Sequence, residues 1–312
     1  MRILLWHVHG SWTTALVQGP HEYLLPVLQE RGLYGRGRAE TWDWPPSAVE
    51  LSPEEAASAD VDVVLLQRPL ELEGLAEHWL GGRAPGRDVP AVYVEHNAPQ
   101  GRIAEMRHPA ADRPDLTLVH VTHFNDLFWD PGSTPTRVIE HGIVDPGYRY
   151  TGELPRAAVV INEARRRGRV TGTDLLPRLN GTVPIDLFGM DAASLGGIEN
   201  PPQHALHDEL ARRRVYLHPI RWTSLGLSLI EAMHLGMPVV ALATTEAPEV
   251  VPPGAGTTST DVEVLRQATR TLVADPDLAR EQGRAAREAA RARFGLERFL
   301  ADWDALLAEA TS

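Results

Sequence analysis

The residues best placed to do chemistry lie between Val215 and Val251, in VYLHPIRWTSLGLSLIEAMHLGMPVVALATTEAPEVV. The pattern predicts a strand over Val215–His218, a turn over Ile220–Ser224 and a helix from Leu225 to Leu235, with Thr223 or Ser224 as its N-cap. Gly236 is expected in the left-handed position that ends the helix, and Pro238 precedes a second strand over Val239–Ala243. A helix start of this kind offers the free backbone N–H groups of Leu225, Gly226 and Leu227 together with the positive end of the helix dipole, a site for a phosphate. Gly226 lets a ligand approach the backbone closely. Glu231, further along the helix, carries a carboxylate that can accept from sugar hydroxyls, as acids do beside helix-bound pyrophosphates. A packing helix with one solvated glutamate fits the same residues equally well.

A second constellation, Arg165-Arg166-Arg167-Gly168-Arg169, follows an apolar strand at Ala157–Ile161. Guanidinium forks match phosphate geometry and stabilise charge on a departing phosphate; a solvated loop or a patch for acidic headgroups is the alternative. Imidazoles end two other apolar strands, His96 after Ala91–Glu95 and His123 after Leu116–Thr122, and His218 stands just ahead of the 220–224 turn. The turn His9-Gly10-Ser11-Trp12 follows a first strand at Arg2–Val8, at the carboxyl edge where ligands bind in α/β sheets. Glu249, in Glu246-Ala247-Pro248-Glu249, is a further acid at that edge. No metal site is expected. Asp60-Val61-Asp62 precedes its strand and so lies at the wrong edge, while the pairs His7/His9 and His204/His207 lack further ligands of zinc type.

The elements that must hold these groups alternate. Strands at Val63–Gln67, Ala91–Glu95, Leu116–Thr122 and Arg137–Glu140 join the first strand, with helices expected over Pro20–Glu30, after the capping box at Ser52-Pro53-Glu54-Glu55, and near Leu70–Leu80. Gly32, Gly35 and Gly37 belong to a loop. The pattern loosens over His141–Pro155 and a second series begins at Ala157–Ile161, continuing at Val183–Phe188, Val215–His218, Val239–Ala243 and Gly256–Ser259. The tail is helical from Val262, broken at Arg293-Phe294-Gly295. The fold class is α/β, two Rossmann-like doubly wound parallel sheets.

At 312 residues with 43% hydrophobic content, the chain is long enough for two cores. A net charge of −12 speaks against nucleic acid as a partner. With no cysteine there is neither disulfide nor thiolate chemistry. No apolar run reaches membrane-spanning length and MRILLWHVHG has no cleavage pattern, so a cytoplasmic location is expected; the local arginines on an acidic surface leave contact with the inner membrane face open.

The run Thr223-Ser224-Leu225-Gly226-Leu227, Glu231-Ala232-Met233, Gly236, Pro238-Val239-Val240 resembles the signature E-G-F-G-L-x-x-x-E-A-M-x-x-G-x-P-V-V of retaining family-4 glycosyltransferases of the GT-B fold. The resemblance implies two domains facing across a cleft, an N-terminal acceptor-side domain over 1–143, a nucleotide-sugar domain over 144–294, and a last helix over 295–312 that returns to the first. It implies a metal-independent transfer from a nucleotide-diphosphate sugar, the donor substrate and no other cofactor, to a glycan, lipid or small-molecule acceptor. By the same resemblance Glu231 holds the ribose, and Arg166 and Arg169 the diphosphate together with Ser224, Leu225, Gly226 and Leu227. Glu249 lies near the nucleotide, His96 touches the donor sugar, and Gly10, Ser11, Trp12 and His123 face the acceptor. Two positions depart from the family: Thr223 stands where the first signature glutamate touches the donor sugar, and Thr171 where a lysine precedes Gly172. The departures keep two other readings in view, a catalytically silent relative that binds a sugar nucleotide or glycan as a partner subunit, and a sugar-nucleotide epimerase.

Overall fold

In the computed structural model, which describes residues 1–181 and 183–312, the chain divides into two units, Met1–Val144 with Leu296–Ser312, and Asp145–Gly295. The first unit is built on seven parallel strands: β1 (Arg2–Leu5), β2 (Glu22–Pro26), β3 (Ala48–Leu51), β4 (Val63–Leu66), β5 (Ala91–Glu95), β6 (Thr117–His120) and β7 (Thr136–Val138), in the order β3-β2-β1-β4-β5-β6-β7. Its helices are α1 (Gly10–Leu16), α2 (Pro53–Ser58), α3 (Ala76–Trp79) and α4 (His123–Phe128). The strands that read as continuous apolar runs are those covered on both faces. All four residues of β4 are fully buried, and Trp6 meets Trp79 edge to face at 6.4 Å in the same core. The Ser52 capping box forms in full, with Glu55 N donating to Ser52 Oγ and Ser52 N to Glu55 Oε2.

Two expectations fail here, and a third holds with a kink. The segment read as a helix over Pro20–Glu30 contains β2, paired with β1 and β3; Tyr23, Leu24 and Leu25 are buried inside the sheet, and that burial overrides helix spacing. The helix after β1 begins at Gly10, so His9–Trp12 is its first turn and not a separate turn. The helix expected near Leu70–Leu80 is present but kinked, a π-turn over Glu71–Leu75 with Gly74 at φ 135° running into α3.

The second unit carries β8 (Leu154–Val160), β9 (Ile185–Gly189), β10 (Ile198–Glu199), β11 (Arg213–His218), β12 (Val239–Leu242) and β13 (Gly256–Ser259), parallel and ordered β10-β9-β8-β11-β12-β13. Between them run α5 (Ala164–Arg167), α6 (Leu176–Leu179), α7 (Gln203–Arg212), α8 (Leu227–Leu235) and α9 (Ala247–Val250), followed by α10 (Val262–Ala274) and α11 (Pro276–Phe294). Val159, Val215, Leu217, Val240 and Leu265 form its core. The helical tail breaks once more than expected, at Asp275, whose carboxylate accepts from Asp277 N and Leu278 N to cap α11. After Gly295 the last helix, α12 (Leu296–Ala310), belongs to the first unit, where Phe299, Trp303, Leu306 and Leu307 are buried and Trp303 meets Trp12 at 5.6 Å. Among the described residues no helix is long and apolar enough to cross a membrane.

Candidate functional site

The order of the second sheet reverses between β8 and β11, so the loops leaving their carboxyl ends lie side by side, the place where ligands bind in such sheets. The two loops are locked together. Arg221 N and Trp222 N both donate to Val170 O, at 2.9 and 3.1 Å, and the Arg221 guanidinium bonds Arg169 O at 2.8 Å while forking onto Asp174. Gly172 takes φ 72°, and a side chain there would overlap the Pro219 carbonyl.

The β11 loop leads into α8. Its N-cap is Gly226 (φ −73°, ψ 117°) and not Thr223 or Ser224, and no side chain caps it. Among the described residues no backbone carbonyl accepts from Leu227 N or Ser228 N, and the first turn holds no acid, so the positive end of the helix is uncompensated by side chains on α8. Among the described residues, two buried polar atoms at this end are without partners: Thr223 Oγ1 and His218 Nδ1. His218 is held neutral, its pKa lowered to about 4 by burial, and its ring occupies the volume that a side chain at Gly226 would need. Ser224 and Leu225 are buried and contribute backbone, not exposed side chains. Glu231 is buried on α8, where Oε2 accepts from Gln203 Nε2 at 3.0 Å and lies 3.6 Å from His207 Nε2, both on α7. Its carboxylate is therefore oriented by a neighbouring helix, not solvated.

The arginines sort themselves by environment. Arg166 is exposed and forks onto Glu163, Arg169 is exposed and reaches Asp174 at 3.2 Å, and Arg165 donates to Ser194 O at 2.6 Å. Arg167 differs. It is half-buried, burial and then the adjacent Arg166 charge lower its pKa, and no side-chain hydrogen bond or ion pair holds its guanidinium among the described residues. Arg167 is thus the arginine of this loop left uncommitted among the described residues, one residue from Arg166, which the resemblance assigns to the diphosphate. Thr171 is fully buried, its hydroxyl shared between Gly168 O at 3.3 Å and Thr173 Oγ1 at 3.1 Å. Glu249 is exposed on α9, whereas Glu246, passed over in the sequence, is buried and bonds Arg293 at 3.1 Å.

In the first unit His96 follows β5 and is buried. Gln67 gives its amide N–H to Trp6 O at 2.7 Å and presents Oε1 to His96 Nε2 at 3.1 Å. His96 therefore carries its proton on Nε2 and keeps an acceptor lone pair on Nδ1, which is buried without a partner among the described residues. Its pKa is lowered well below the usual value by burial, then by His9 and His141; the His9 ring lies 4.1 Å away. Trp12 is fully buried between His96 and the α12 aromatics, so it is part of the core and offers no exposed face to an acceptor. Gly10 and Ser11 are partly exposed at the start of α1, and His123 is exposed as the first residue of α4, which Thr122 caps.

Buried neutral imidazoles of this kind are expected to make the fold acid-labile. Burial depresses His7 to about 4, His120 and His141 to about 3, and His218 to about 4. Above about pH 6.5 these histidines are neutral whether the chain is folded or not; below it the unfolded chain takes protons that the folded one refuses. Stability is expected to fall from pH 6.5 towards 4, by up to about 1.4 kcal/mol per pH unit for each such histidine. Urea unfolding at pH 7, 6 and 5 measures this; equal midpoints at the three values would contradict it.

Residues 198–289 match the family model of Glycosyl transferases group 1. Alpha-maltose-1-phosphate synthase of Mycolicibacterium smegmatis is 36% identical over 96 residues, 28% of this chain and 25% of that protein, so the match spans a quarter of the relative's length. Over nearly the whole chain the fold is that of solved GT-B proteins. Sucrose-phosphate synthase from Thermosynechococcus elongatus superposes with a TM-score of 0.73 at 15% identity, covering 99% of this chain and 98% of its own. Anabaena HepE in complex with UDP gives 0.69 at 14% identity, covering 99% and 100%.

Proposed function

We propose that this chain, a GT-B protein whose residues 198–289 belong to Glycosyl transferases group 1, transfers a sugar from a nucleoside diphosphate to an acceptor, without a metal and with retention at the anomeric carbon. The observation that carries the reading is the amino end of α8: no acid in the first turn, unpaired His218 Nδ1 and Thr223 Oγ1, and the loop bearing the uncommitted Arg167 locked to the loop that feeds the helix. The bond from the anomeric carbon to the diphosphate oxygen breaks and a bond to the acceptor oxygen forms. The acceptor's proton passes to an oxygen of the leaving diphosphate, as the family resemblance implies. The α8 amides and Arg167 stabilise the charge that grows on that diphosphate. Glu231, oriented by Gln203 and His207, receives the ribose hydroxyls. His96 of the first unit, neutral and with an acceptor lone pair on Nδ1, has the chemistry to accept from a hydroxyl. The UDP and UDP-glucose complexes of Anabaena HepE support a uridine nucleotide as donor.

A second reading, a silent relative that binds the nucleotide without turnover, draws on Thr223 and on the buried Thr171, neither of which supplies a charge. Incubation with UDP-glucose and a panel of other sugar nucleotides, without acceptor, separates the two. Slow release of free sugar and nucleoside diphosphate is expected; tight binding with no release from any donor selects the silent relative, and sugar-nucleotide product of altered configuration selects an epimerase.

A further inference from the structure

Helix α11 carries Arg280, Arg284, Arg287 and Arg291 at spacings of four, three and four, which places them on one face. In a chain of net charge −12 this is a local inversion of sign. The neighbouring face of α11 is buried through Ala279, Gly283, Ala286 and Ala290, and Gly283 lies so close to the Gly236 carbonyl at the end of α8 that a side chain there would overlap it. That contact seats the arginine face beside the segment that opens the second unit. A cavity of about 500 Å³ results, lined by Tyr148, Arg284, Arg287, Glu288, Arg291 and Ala292.

The charges around the cavity are unequally committed. Arg287 forks onto Asp145, both distances 2.8 Å, and also donates to His234 O, so its charge is balanced within the fold. Arg291 reaches Asp145 only at 3.6 Å, and no side-chain hydrogen bond or ion pair involves Arg284 among the described residues. Tyr148 is 46% exposed and adds a phenol hydroxyl. We infer that this cavity binds a small soluble phosphate monoester, gripped by Arg284 and Arg291 and lying against Tyr148. Seven residues of helix separate the two arginines by roughly 10 Å at the backbone, a span from which two long side chains converge on one group. A phosphate offers oxygens to both guanidinium forks at once, and its second negative charge is met by a rim on which Arg284, Arg287 and Arg291 outnumber Glu288, which a carboxylate ligand could not exploit as well. The site is separate from the amino end of α8 and does not depend on the activity proposed above.

Calorimetric titration with inorganic phosphate and with glycerol phosphate, at fixed ionic strength, tests the inference on the full chain. Saturable binding is expected, weakened about tenfold or more in the Arg284→Ala/Arg291→Ala double variant, whose exposed side chains support no core, and unchanged in Arg266→Ala, an arginine of α10 paired with Glu263. Three results would overturn it: affinity unchanged in the double variant, loss in Arg266→Ala instead, or no binding of either phosphate while vesicles containing phosphatidylglycerol retain the protein through Arg284 and Arg291.

Discussion

Replacing Arg167 by alanine is expected to lower kcat by about 10²–10³-fold while KM for the donor changes little, because in the role proposed for it the guanidinium stabilises charge that grows mainly in the transition state. Arg166→Ala is the informative contrast. Its guanidinium is exposed and spent on Glu163, so the change in kcat should stay within about threefold, in keeping with the small worth of surface ion pairs. Arg167→Lys should recover only part of the loss, since an ammonium cannot present the planar fork. Steady-state kinetics on the three variants decide the matter. A raised KM with unchanged kcat in Arg167→Ala, or a larger defect in Arg166→Ala, would assign the phosphate to a different cation.

The largest expected effect on stability is that of Gly172→Ala. The residue takes φ 72°, and the added methyl would overlap the Pro219 backbone carbonyl, which cannot move aside as a flexible side chain can. Left-handed strain and overpacking together should destabilise the second unit by about 3 kcal/mol, lowering its melting temperature by roughly 6–12 °C. Gly254→Ala is the matched control, because φ is 88° there and an added methyl meets nothing within 4 Å. It should cost only the backbone term of about 1–2 kcal/mol. The effect of Gly172→Ala should extend to function. Parting the loops releases Arg221 from Val170 and Asp174, and with it the placement of the arginine loop beside α8. Equal melting temperatures for the two variants would show that the loops are not rigidly joined.

Much of the framework was legible because strands covered on both faces must be apolar throughout. The bounds expected for Ala91–Glu95 and Gly256–Ser259 are those of β5 and β13, and Gly236 ends α8 at φ 89°, as its place after a helical run requires. β2 was misread because Leu24, Leu25 and Leu28 fit a helical period as well as a strand, and only its place between β1 and β3 resolves the ambiguity. The edge strands β3 and β10 are short and carry little apolar signal. At the site, position along the sheet was readable and environment was not. Which of four neighbouring arginines loses water depends on Glu163 adopting the left-handed region (φ 55°, ψ 45°) and starting a single helical turn. The partners of Glu231 come from α7, where Gln203 and His207 share a face at a spacing of four, while the sequence drew notice to His204 and His207. Glu246 is buried because Arg293, far along the chain, folds back to it; no local pattern distinguishes it from Glu249.

The proposed function requires a diphosphate at the amino end of α8, and a crystal structure of the chain with UDP bound examines that contact directly. Phosphate oxygens are expected within about 2.7–3.2 Å of Leu227 N or Ser228 N and of the Arg167 guanidinium, with the ribose hydroxyls on Glu231. A nucleotide seated elsewhere on the chain, or bound with its phosphates away from α8 and Arg167, would contradict it.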